Sequence, residues 1–126
     1  MITSEAWEGL AQRVNRDGEF RIASRDWTAL LRLDVGDESH RLRFEAGELR
    51  EVAACDRESP CDVFVSGPRA AWEQLLRRVP RPFYQDLFGA AWHHHDFALT
   101  ADFAAWAAYY PALRRLVEIL RESKED

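Results

Sequence analysis

Residues 62–76 read DVFVSGPRAAWEQLL, and the stretch changes its periodicity halfway. DVFVS is a short apolar run of strand length, and its near-continuous hydrophobicity predicts burial on both faces. Gly67-Pro68 then opens a helix, because proline suits the first helical turn. In that helix Trp72, Leu75, Leu76 and Val79 recur at three- and four-residue steps and form one apolar stripe. A strand therefore runs through Ser66-Gly67 directly into a helix, which joins a sheet to its cover.

Toward the N-terminus, Thr3 or Ser4 can cap a first helix whose apolar face is Trp7, Leu10 and Val14. Asp17-Gly18 ends it and starts a turn. From there the period becomes two. Phe20 and Ile22 alternate with Arg21; Trp27, Ala29, Leu31, Leu33 and Val35 alternate with polar or outward positions. After Gly36-Asp37, His40, Leu42, Phe44 and Ala46 continue the pattern, and Gly47 leads into a further strand over 48–53. Short turns and one wet face are the marks of an antiparallel meander. Residues 54–61, ACDRESPC, form a polar loop.

Toward the C-terminus, Pro80 and Pro82 break the helix that bears Trp72. A second helix over 82–91 presents Phe83, Leu87 and Phe88. Residues 93–99 return to period two. Asp102 caps a last helical region bearing Phe103, Trp106, Tyr110, Leu113, Leu116 and Leu120, which Pro111 kinks or splits. The order is α+β: a five-stranded, mainly antiparallel sheet covered on one face by helices.

Residues 1–126 are read as a single domain, near the common domain size. Hydrophobic residues at 47% and charged residues at 31% describe a globular chain. A net charge of −5 disfavours nucleic acid and anionic membrane as general partners. No apolar run approaches a membrane span, and the start MITSEAWEGL is not a signal peptide, so a cytoplasmic protein is expected. Cys55 and Cys61 match no zinc spacing and read as free thiols.

From Asp62 onward the order of motifs resembles the sterol carrier protein 2 family. There an aspartate-led strand runs into Ser-Gly and a helix with Trp-x-x-Leu, matched here by Asp62, Ser66, Gly67, Trp72 and Leu75. A later strand leads into an aspartate and the final helix, matched by Phe97, Leu99 and Asp102. The family glycine ahead of that strand is replaced by the histidine run, and the glycine before the aspartate is Ala101. The N-terminal helix and meander agree in order, so the resemblance spans nearly the whole chain. It implies an apolar tunnel between sheet and helices for a fatty acid, an acyl-CoA or a sterol-like lipid.

Eleven of the fifteen aromatic residues lie between Phe64 and Tyr110. Aromatic rings fill cores, and they also wall apolar cavities. The candidate ligand-binding set is Trp72, Leu76, Phe83, Leu87, Phe88, Trp92, Phe97, Trp106, Tyr109, Tyr110 and Leu113, with Tyr109 or Tyr110 as a polar anchor. The reading is non-catalytic carriage of an apolar small molecule, with no cofactor. No G-x-S-x-G, P-loop or G-x-G-x-x-G is present. The competing reading is an accessory subunit whose apolar groove takes a partner protein or a second copy. A third is a small enzyme using His93, His94 and His95, with His40 as a further metal-ligand candidate. Arg77, Arg78, Arg81, Arg114 and Arg115 are either a solvated face or a grip on an anionic head group.

Overall fold

The computed structural model describes residues 4–77, 97–99, 108 and 110–123. Helix α1 (Ser4–Arg16) buries Ala6, Trp7, Leu10 and Val14, the stripe that its spacing predicts. Asp17 both ends it and caps α2 (Gly18–Ala23), its carboxylate accepting the Phe20 N–H at 2.8 Å. The expected strand through Phe20 and Ile22 is therefore a helix. Residues two apart lie on different faces of a helix, and here Phe20 is fully buried while Ile22 is 80% exposed. The N-cap outweighed a two-residue alternation too short to define a period.

The sheet is made of β1 (Ala29–Val35), β2 (Glu38–Glu45), β3 (Glu48–Cys55), β4 (Val63–Gly67) and β5 (Ala98–Leu99), in the order β3-β2-β1-β4-β5. The fold is the expected α+β arrangement. Three pairings are antiparallel, and β1 with β4 is parallel, so the sheet is mixed. Asp62 sets the parallel register. Its carboxylate accepts from Leu30 N at 2.8 Å, and its own N–H donates to Leu30 O at 2.8 Å.

Tight turns join the meander. Gly36 has φ 65, and Ala46 and Gly47 have φ 51 and 83. A Cβ on Gly47 would sit 3.0 Å from the Ser24 carbonyl oxygen, so only glycine fits that turn. A bulge between Arg43 and Phe44 offsets β2 against β3. The edge of β3 is held by Asn15, whose side chain donates to Leu49 O at 3.0 Å and accepts from Leu49 N at 2.8 Å. α1 is thereby fixed to the sheet by a mimic of one strand pairing.

Helix α3 (Arg69–Leu75) starts after Pro68 and buries Ala71, Trp72 and Leu75. Helix α4 (Tyr110–Ser123) buries Ala112, Leu113, Leu116, Val117, Ile119 and Leu120. These stripes meet the inner sheet residues Leu31, Leu33, Val35, Leu42, Phe44, Leu49, Val63 and Val65 in one core. Arg121 of α4 donates twice to Leu75 O, at 3.1 and 2.6 Å, and so satisfies a carbonyl at the end of α3.

The other face of the sheet is not uniformly wet. Within β4, Val63 and Val65 are buried and Phe64 is half-buried, so DVFVS alternates and is not enclosed equally on both sides. The Arg32 guanidinium lies 5.0 Å from the Phe64 ring centre and covers it in part. The expected polar loop starts only after Cys55, and over 56–62 it closes down on this face, with Arg32 donating to Ser59 O at 3.2 Å.

Candidate functional site

Trp72 anchors the region where sheet, α3 and β5 meet. Its indole N–H donates to Asp34 O at 2.8 Å, and its ring meets Phe97 edge-on, with centroids 5.3 Å apart and planes at 87°. Leu76 and Leu113 are enclosed in the same core, and Tyr110 packs half-buried against it. Five of the expected ligand-contacting residues are thus brought to one cluster. Phe83, Leu87, Phe88, Trp92, Trp106 and Tyr109 lie outside the described residues, as do His93, His94 and His95.

Phe97 also reaches the surface. With Gly36, Arg57, Ser66, Gly67 and Ala98 it lines an open recess of about 510 Å³ at the end of β4. From the recess a row of cross-strand partners runs over the five described strands, Ala98, Ser66, Asp34, Ser39 and Cys55, and it is polar at Ser66, Asp34 and Ser39. Asp34 is completely buried in that row. Its carboxylate accepts from Arg32 Nε at 2.9 and 3.2 Å and from the Ser39 hydroxyl at 2.7 Å. Burying an unpaired carboxylate would be prohibitive, and this one is paired and hydrogen-bonded. Arg57 stands above it, Nε 3.9 Å from Asp34 and Nη2 donating to Gly36 O at 2.7 Å.

Sequence reading misses Asp34 and Arg57. Strand alternation places Asp34 on a wet face, and Arg57 falls in an unassigned loop. The available signal is the Arg32-x-Asp34 pairing on one strand face, opposite charges two residues apart.

A second recess, of about 310 Å³, lies against α2 between Arg21, Ile22, Arg25 and the β2–β3 turn. Under α1, His40 occupies the apolar side of β2, stacked on Trp7 at 4.1 Å and 19°. Its Nε2 is 3.7 Å from a Glu38 oxygen, too far for a hydrogen bond, and has no such partner among the described residues. Burial pushes its pKa below the usual value.

No family model matches the chain, and no curated protein matches its sequence. Solved structures do match. A crystal structure of sterol carrier protein 2 superposes with a TM-score of 0.77 at 23% identity, over 97% of this chain and 98% of that one. The chain has a sterol carrier protein 2-like fold. A Thermus thermophilus protein, described as possibly a sterol carrier protein, gives 0.76 at 22% identity, over 100% of this chain and 91% of that one. A ubiquinone synthesis protein named UbiJ-SCP2 gives 0.57 at 20%, over 93% and 91%.

Within the sterol carrier protein 2-like fold, the motif residues have visible tasks. Asp62 locks β4 to β1, the Gly67 carbonyl accepts from Gly36 N at 2.9 Å, and Trp72 ties α3 to β1. The arginine candidates separate. Arg115 is committed to Asp17, Glu118 and Glu122, and Arg114 lies 3.8 Å from Glu118. Arg77 donates to Gln74 at 3.4 Å. Arg78 and Arg81 lie outside the described residues. Cys55 and Cys61 are free and half-buried, and burial pushes the Cys61 thiol up. Among the described residues no three metal-ligating side chains cluster, and no helix is long and apolar enough to cross a membrane.

Proposed function

We propose that residues 1–126 act as one domain that binds an apolar small molecule, a fatty acid, acyl-CoA or sterol-like lipid, between sheet and helices, without catalysis. The observation that carries this is the superposition with sterol carrier protein 2 over 97% of the chain. The aromatic concentration between Phe64 and Tyr110 agrees with it.

Trp72, Leu76 and Leu113 are at most 1% exposed, so a ligand touches them only when a helix gives way. Helix α4 is the candidate lid. It is held by the Asp17–Arg115 pair and by the Arg121 bonds to Leu75 O. Lifting it uncovers several leucines, each worth roughly 1.5–3 kcal/mol of burial. A long acyl chain returns about 0.8 kcal/mol per buried CH₂, on the order of 10 kcal/mol, before association costs. The two magnitudes are comparable, as exchange of a carried ligand requires.

Native mass spectrometry of gently purified protein tests the reading. A co-purified lipid supports it. A co-purified protein in place of lipid supports the accessory-subunit alternative and counts against it.

A further inference from the structure

We infer that the recess beside Phe97 is a seat for a single carboxylate, the acidic head of a ligand whose apolar part enters past Phe97. This rests on the lipid-binding reading and adds the head-group class and the residues that hold it.

Asp34 is already satisfied by Arg32 and Ser39, so it has little claim on a second guanidinium. Arg57 is nevertheless held over it, fixed through Gly36 O at 2.7 Å, with its side chain 58% exposed beside the recess. A planar guanidinium fixed at one edge and open at others is arranged for a carboxylate. Ser66 pairs with Asp34 across the strands and lines the same recess, where its hydroxyl would be a second donor. Phe97 supplies continuity with the core: it lines the recess and is only 7% exposed, its ring against Trp72. A head seated at Arg57 therefore lies at the mouth of the proposed apolar site.

The charge balance of the described residues favours one negative charge over several. Among the described residues, Arg32 is committed to Asp34 at 2.9 Å and Ser59 O at 3.2 Å, and Arg69 is engaged by Glu38 at 2.8 Å and Asp37 at 3.8 Å. Asp56 and Glu58 flank Arg57 in its own loop. Among the described residues Arg57 is thus the guanidinium left partly open here, which matches a monoanion, and a nucleotide polyphosphate would meet repulsion from the neighbouring carboxylates. The head group is thus a free carboxylate and not the phosphates of an acyl-CoA.

The test compares two probes of equal chain length, a pyrene-labelled fatty acid and the corresponding uncharged alcohol, on wild type, Arg57→Gln, Arg57→Lys and Ser66→Ala, each checked for an intact melting transition. The wild type should prefer the acid. Arg57→Gln should weaken the acid by about tenfold or more and leave the alcohol unchanged, as loss of a charge-assisted bond requires. Ser66→Ala should cost the acid about threefold. Arg57→Lys should recover part of the loss, and it carries the test if Arg57→Gln does not fold. Equal binding of the acid by wild type and folded Arg57 variants overturns the seat while leaving lipid binding intact. Failure of wild type to bind either probe overturns both.

Discussion

Arg115 on α4 grips both carboxylate oxygens of Asp17, at 2.7 and 2.9 Å, from 98 positions away. Asp17 also caps α2, so one carboxylate closes the N-terminal helices onto the last helix. The guanidinium holds the Asp17 carboxyl below its usual value of 3.8. A lowered carboxyl pKa contributes stability above the unfolded value and loses it as pH falls through the folded one. Asp17→Asn should therefore destabilise by roughly 2 kcal/mol near neutrality. The gap to wild type should narrow below pH 3.8 in denaturant titrations across pH.

His40 has the opposite sign from a salt-bridged histidine. Burial lowers its pKa from 6.5, more than Glu38 raises it. The folded state then binds the proton less readily than the unfolded chain, so stability falls as pH drops below 6.5. Replacing His40 by Gln should flatten that part of the curve. An unchanged slope would show that His40 titrates alike in both states.

Ala46 has φ 51 in the β2–β3 turn, a left-handed conformation that costs a residue with a Cβ roughly 1–2 kcal/mol. It is exposed, and its N–H donates to the Thr28 hydroxyl at 3.0 Å, a bond glycine keeps. Ala46→Gly should raise the melting midpoint, and Gly47→Ala should lower it.

Trp72→Phe keeps most of the ring volume but removes the donor to Asp34 O. Leaving that buried carbonyl with one bond fewer should cost roughly 1–3 kcal/mol, measured by chemical denaturation.

The meander was legible because Leu31, Leu33 and Val35 alternate against Arg32 and Asp34 long enough to define a period. The failure at Phe20 and Ile22 came from a run of three residues beside a strong cap. The parallel partner of β4 was hidden, since register is decided by non-local bonds such as Asp62 to Leu30. Trp72, Leu76 and Leu113 were legible as apolar positions by helical spacing. Arg57 was not, because its place depends on a loop folding back over Asp34 and Gly36.

The most direct measurement is titration of delipidated protein with a fluorescent fatty acid, followed by displacement with unlabelled fatty acid or sterol. Saturable binding of one ligand per chain, reversed by an apolar competitor, is expected. Absence of saturable binding by any fatty acid or sterol tried, with the protein folded, would contradict the carrier reading.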